Sequence, residues 1–189
     1  MELRQLPNLL TLARIALTVP VLWLLTRQEF GWALVLFAVA GVTDALDGFL
    51  AKRYGWGSRL GAVLDPLADK FLLVSTYLVL GLQGWLPPWL VGLVVLRDLV
   101  VLAGAGAYYL VVGPYRMAPS VASKLNTFAQ ILLALCVVLA LAGLPLPEGT
   151  LEGLVSVVAG TTLWSGVDYV WTWSRKALRA RRERRGTAR

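Results

Sequence analysis

Four aspartates fall within twenty-six residues of a chain that has only eleven acids: Asp44, Asp47, Asp65 and Asp69. Asp44 and Asp47 are three apart and Asp65 and Asp69 four apart, so each pair shares one face of a helix. Both pairs lie at the ends of long apolar runs joined through residues 51–60. That short connection predicts antiparallel neighbours, with all four carboxylates converging at one depth. An aspartate at the centre of a membrane span costs roughly 2.5–3.5 kcal/mol on insertion scales, so four cost on the order of 10 kcal/mol at full depth and less near the interface. Mutual repulsion adds to this, and positive charge is needed among them. Lys70 points about 100° away from Asp69 on an ideal helix, and one lysine cannot neutralise four acids. One or two divalent cations are the fitting occupants. Ligation by oxygen alone selects Mg²⁺, Mn²⁺ or Ca²⁺ over zinc. An open, carboxylate-lined Mg²⁺ site shares its ion with phosphate oxygens and so implies a phosphorylated substrate.

The surrounding residues suit that chemistry. Gly48, Ala51 and Gly61 leave room for a ligand or a backbone to approach. Lys52, Arg53, Ser58 and Arg59 edge the same mouth with cations and a hydroxyl that match phosphate oxygens. The chain has no histidine, which excludes imidazole catalysis and histidine-ligated zinc. Its single cysteine, Cys136, sits inside an apolar run and offers no disulfide or metal cluster. Intramembrane carboxylates also serve proton relays and cation pathways. A carboxylate-lined cation or proton transporter is therefore the competing reading, though it leaves the glycines and Ser58 without a purpose.

The elements that must carry these residues are written in the composition. The 189 residues are 58% hydrophobic and 15% charged, where a soluble domain carries about 25% charged residues. Six long apolar runs, near 9–26, 31–50, 61–82, 87–112, 120–143 and 150–173, predict an all-α polytopic membrane protein with six transmembrane helices. Gly31, residues 55–57, Gly84, Pro87, Pro88, Gly113, Pro114, Pro145, Pro147 and Gly149 punctuate them. No alternating strand pattern suggests a barrel. Trp32, Trp85, Trp89, Trp171 and Trp173 fall near run ends, at headgroup level. Arg14 interrupts the first run, which argues against a signal peptide. Fourteen of the eighteen Lys and Arg residues fall in the N-terminus, 51–60, 113–124 and the C-terminal segment, and only Arg27 lies in the opposite set of connections. The positive-inside rule then places both termini, and the carboxylate mouth, in the cytoplasm. Residues 1–174 read as a single transmembrane catalytic domain. Residues 175–189, with eight basic residues, read as a basic cytoplasmic tail solvated beside an anionic leaflet and disordered from Arg181 onward. Nucleic acid is not an expected partner, because the chain offers no basic face interleaved with aromatics.

Written out, the segment is Asp44-Ala-Leu-Asp47-Gly48-Phe-Leu-Ala51-Lys52, eight residues, then Gly61-Ala-Val-Leu-Asp65-Pro-Leu-Ala-Asp69. It resembles the signature of the CDP-alcohol phosphatidyltransferases, D-x2-D-G-x2-A-R-x8-G-x3-D-x3-D. Seven of its eight fixed positions match; Lys52 stands where the family has arginine, keeping the charge but losing the planar fork. Six spans with the motif across the second and third is also the family's layout. The resemblance implies that Asp44, Asp47, Asp65 and Asp69 hold Mg²⁺ or Mn²⁺, two ions, and that Asp69 doubles as general base. It implies that Asn8, Thr11, Asp44, Gly48, Lys52, Ser58 and Gly61 bind the CDP moiety. The implied donor is CDP-diacylglycerol, CMP leaves, and a homodimer is expected. In that reaction the acceptor hydroxyl attacks the lipid-side phosphorus in line, and catalysis is mostly positioning and charge stabilisation. Without histidine or a usable cysteine, direct displacement is favoured, and a phosphatidyl-aspartate intermediate stays open.

Three cations are candidates for the acceptor: Arg97, Arg116 and Lys124. Arg97 is followed by Asp98, but adjacent residues do not face each other on a helix, so no salt pair is expected between them. A structural role for Arg97, buried and paired with some carboxylate for assembly, is the competing reading. The opening Leu6-Pro7-Asn8-Leu9-Leu10-Thr11 with Arg14, and the run Asp65 to Lys70, are similar to phosphatidylglycerophosphate synthases, which use glycerol 3-phosphate. Arg97-Asp98 together with Ser123-Lys124-Leu125-Asn126-Thr127 and Gln130 is similar to the eukaryote-type cardiolipin synthases, which use phosphatidylglycerol. The balance leans to glycerol 3-phosphate.

Overall fold

A computed structural model describes residues 6–54, 61–112 and 120–186; within these, the side chains of 6–10, 44, 45, 47–54, 61–66, 105, 107–112, 173, 174 and 176–186 lie outside the description. Every regular element among the described residues is an α-helix: α1 (Leu6–Thr26), α2 (Phe30–Tyr54), α3 (Gly61–Leu82), α4 (Pro88–Val112), α5 (Val121–Leu141) and α6 (Thr150–Gly186). The six apolar runs are thus six helices. Among the described residues α5 is the helix long and apolar enough, by length and composition, to cross a membrane; Thr11–Thr26 and Phe30–Thr43 are shorter apolar stretches.

Two boundaries differ from expectation. Gly31 lies inside α2, and the α1–α2 turn is made instead by Gln28, whose φ is 60°. Its N–H reaches the Leu25 carbonyl, and the Glu29 N–H reaches Leu24. This is the paired cap of a Schellman turn, made by a residue with a Cβ where glycine is the usual choice. Gly84 and Gly143, with φ of 80° and 86°, close α3 and α5 with the same pairing. The second difference is α6, which runs on to Gly186. Residues 175–186, expected as solvated and partly disordered chain, are helical. Arg, Lys, Ala, Leu and Glu are all good helix formers, and no breaker precedes Gly186.

The chain divides into two compact units, Met1–Pro88 with Ala134–Glu148, and Trp89–Leu133 with Gly149–Arg189. In the first, α1 packs against both α2 and α3. Its buried face is Thr11, Arg14, Thr18, Val21 and Leu25, an alternation of three and four residues. Buried alanines, Ala33 and Ala40, on α2 suit close helix approach, and α3 buries Leu73, Tyr77 and Leu80. The face of α1 is apolar toward its C-terminus, where Gln83 Nε2 donates to the Leu25 carbonyl at 3.0 Å. Toward its N-terminus it is polar, and that end carries the chemistry.

In the second unit α4, the first part of α5 and α6 are tied by side-chain bonds. The Tyr169 hydroxyl of α6 donates to the Val101 carbonyl of α4 at 2.8 Å. Gly104 makes room for that ring, since a Cβ there would lie 2.8 Å from Tyr169 Cε1. Asn126 of α5 is fully buried, and its Oδ1 accepts from Thr161 at 3.1 Å and Thr162 at 2.8 Å on α6.

Candidate active site

Asp44 and Asp47 lie within the last three turns of α2, and Asp65 and Asp69 within the first three turns of α3. Both helices pack on α1. Asn8 is in the first turn of α1, Gly48 and Lys52 are in the closing part of α2, and Gly61 opens α3. Thr11 is fully buried on the inner face of α1. The side chains of Asn8, Asp44, Asp47, Lys52 and Asp65 lie outside the description, and so do Ser58 and Arg116 altogether.

Asp69 is the described carboxylate of the set. Its Oδ1 accepts a hydrogen bond from Arg14 Nη1 of α1 at 2.5 Å, a charge-assisted contact. The two partners differ in environment: the Arg14 side chain is 1% exposed and that of Asp69 45%. Arg14 is thus a buried cation held against Asp69, and its own carbonyl accepts from Thr18 at 3.0 Å. Asp69 is held through Oδ1, and nearly half of its side-chain surface is exposed. Arg14 thus brings positive charge to Asp69, where the sequence reading sets Lys70 aside and looks to divalent cations. Its signal was present in the sequence, because an arginine inside an apolar run needs a partner.

Oxygen ligands without histidine, as the four aspartates offer, are of the kind that suits a hard divalent cation; among the described residues no group of three or more candidate ligands is gathered.

The acceptor candidates have different fates. Lys124 is exposed in the first turn of α5. Arg97 is 5% exposed, and its guanidinium is engaged on three sides: Nη1 donates to Asp98 at 2.8 Å, and Nη2 donates to Ser123 at 2.7 Å and Ser165 at 2.5 Å. The expectation that Arg97 and Asp98 do not pair is therefore corrected. Their Cβ atoms diverge by about 100°, but the guanidinium ends several bonds further out. Drawn toward Ser123 and Ser165, it comes to lie beside the neighbouring carboxylate. Nothing in the sequence marks Ser165, and Ser123 stands out only within the run Ser123-Lys124-Leu125-Asn126-Thr127.

The sequence profile of the CDP-alcohol phosphatidyltransferases matches residues 4–168. A Streptomyces coelicolor protein named cardiolipin synthase (CMP-forming) is 41% identical over 107 residues, 53% of this chain and 50% of that protein. A rice chloroplast protein named CDP-diacylglycerol--glycerol-3-phosphate 3-phosphatidyltransferase 1 is 37% identical over 125 residues, 66% of this chain and 36% of its own length. A Mycobacterium tuberculosis protein named probable phosphatidylglycerophosphate synthase is 35% identical over 179 residues, 89% of this chain and 81% of its own. The chain thus spans about half or less of the length of the first two and most of the third. The profile match takes in Arg14, both aspartate pairs and the whole of α1 to α5, and on that breadth the chain belongs to the CDP-alcohol phosphatidyltransferase family.

Proposed function

We propose that this chain transfers a phosphatidyl group from CDP-diacylglycerol to the hydroxyl of a glycerol-type acceptor and releases CMP. The observation that carries the reading is the signature itself, with its aspartates on α2 and α3, both packed on α1, and Asp69 held by the buried Arg14. Glycerol 3-phosphate is the acceptor we favour, because the mycobacterial relative named for phosphatidylglycerophosphate synthesis aligns with most of both chains. Phosphatidylglycerol is the second reading, supported by relatives named cardiolipin synthase that are up to 41% identical over about half of the chain.

Asp44, Asp47, Asp65 and Asp69 would hold one or two Mg²⁺ or Mn²⁺ ions, which when bound offset the charge of the donor pyrophosphate and of the departing CMP. Arg14 fixes the Asp69 carboxylate through Oδ1 and so limits its rotation. Asp69 takes the proton of the acceptor hydroxyl as that oxygen attacks the lipid-side phosphorus. The bond from phosphorus to the CMP oxygen breaks with its electron pair on CMP. Asn8, Thr11, Gly48, Lys52, Ser58 and Gly61 bind the nucleotide part, with Lys52 as a point charge on phosphate. Arg116 and Lys124 are the cations available to an acceptor phosphate, whereas Arg97 is occupied within its own unit.

All six helices cross the membrane in this reading, with both termini and the active site at the cytoplasmic side and a homodimer as the assembly. Support comes from large apolar side chains left in the open on every helix, among them Trp23, Trp32, Leu82, Leu102, Phe128 and Val167. The test is CMP release by detergent-purified protein given CDP-diacylglycerol and Mg²⁺, with each acceptor offered separately. Release that needs glycerol 3-phosphate and stops with EDTA is expected. Release only with phosphatidylglycerol selects the second reading. No release with any alcohol, in folded protein, returns the chain to the transporter class.

A further inference from the structure

The second unit holds a groove of about 440 Å³ between α4 and α6, within the range of ligand pockets. Leu93, Leu96 and Val100 form one wall and Leu163, Val167 and Val170 the other. Most of these side chains are exposed, so the groove opens outward along its length. Two polar features interrupt it. Arg97 lines it, and its Nε is buried without a hydrogen-bond partner among the described residues, although both terminal nitrogens are engaged. A buried N–H left unmade is unfavourable, so an oxygen that reaches it gains from doing so. Asp98 already balances the Arg97 charge, which makes a neutral oxygen the matching acceptor. Further along α6, Trp171 lines the groove, is 60% exposed, and carries the Arg175 guanidinium 4.4 Å over its ring. An exposed cation on an aromatic platform at a run end is suited to phosphate.

Ser165, which holds Arg97, and Trp171 are about 9 Å apart along the helix axis. One molecule that meets both features has an anionic head, a neutral oxygen deeper in, and then an apolar chain. We propose that the groove binds an anionic glycerophospholipid, its phosphate at Arg175 and Trp171, an ester carbonyl toward Arg97 Nε, and one acyl chain between α4 and α6. The site rests on the membrane-spanning reading and is independent of which acceptor is used. A second copy of the chain fits this face less well. A parallel α6–α6 contact would bring together two extensions that each carry seven basic residues and one acid between Arg175 and Gly186.

The test uses full-length protein in phosphatidylcholine nanodiscs, with phosphatidylglycerol or phosphatidylcholine brominated on the acyl chains titrated in. Trp171 emission is isolated as the difference from Trp171→Phe, and Trp32 emission, isolated the same way, is the control. Expected is quenching of Trp171 that saturates at about fivefold lower mole fraction of the phosphatidylglycerol probe than of the phosphatidylcholine probe, the factor of one cation near a lipid surface. Arg175→Gln, a surface change, should erase that factor. Gly166→Leu, which fills the groove beside the Arg97 stem, 3.8 Å from a Cβ at that position, should leave quenching proportional to mole fraction. Coincident curves for the two probes in the wild type, or a preference that survives both variants, overturn the site. Quenching of Trp32 alone overturns the groove and keeps the membrane reading, whereas no quenching at either tryptophan removes both. A change of oligomeric state in Gly166→Leu would give the groove to a second copy instead.

Discussion

Arg14 and Asp69, 55 residues apart in sequence, meet at 2.5 Å, the arginine buried and the aspartate half in the open. The pair joins α1 to the helix that carries the second half of the signature. Truncating one member of a buried pair strands the other charge, at about 3–5 kcal/mol when both are buried. Solvent can take up part of the Asp69 charge, so Arg14→Met should cost about 1–3 kcal/mol. A double-mutant cycle with Asp69→Ala, which removes the accepting oxygen, followed by unfolding in detergent, should return a coupling of about 1–2 kcal/mol. Additive losses would show that the contact contributes nothing to the fold.

Asp69→Asn retains the shape of the side chain and an oxygen for Arg14 but removes the base. CMP release should fall by about 10²–10⁴-fold, while metal-dependent donor binding survives in part. If release persists at the wild-type rate, the general-base assignment is wrong. Asp44→Asn should instead raise the Mg²⁺ concentration needed for half-maximal release, as expected of a residue that acts through the ion.

Arg97 holds α5 and α6 to α4 through Ser123 and Ser165, with Asp98 as counter-charge. Lysine in its place is a point charge without the fork, and it cannot serve all three partners from one nitrogen position. Arg97→Lys should lower stability by about 1.5–3 kcal/mol for each charged hydrogen bond lost, read as a lower unfolding midpoint. Ser165→Ala alone should reproduce part of that loss. A midpoint unchanged in both variants would mark the network as incidental.

Gly104→Ala should destabilise by about 1–3 kcal/mol through overpacking, because the new Cβ meets a Tyr169 ring that its bond to the Val101 carbonyl holds in place. In a Tyr169→Leu background the same change should cost much less. Gly160→Ala, with nothing within 4 Å of the new Cβ, should be neutral or slightly stabilising. Thermal unfolding of these variants, each against its parent, decides it, and equal losses at Gly104 and Gly160 would remove the steric explanation.

The sequence by itself determined the six helices, the spacing of the aspartate pairs and the family. These depend on apolar run length, on residues three or four apart and on a motif confined to 26 positions, all of them local properties. It also holds the helical strength of 175–186, since Arg, Lys, Ala, Leu and Glu combine high charge with high helix propensity. Only the tertiary structure decided which cation stands against Asp69, that Arg97 is spent on Ser123, Ser165 and Asp98, and that Gly104 exists for Tyr169. Each of these contacts, the neighbouring Asp98 apart, joins residues 26 or more positions apart, on different helices. The rotation of one helix against the next sets such contacts, and no periodicity within a single helix encodes it. Even Arg97 and Asp98, adjacent in the chain, pair in a setting where two serines on other helices also hold the guanidinium.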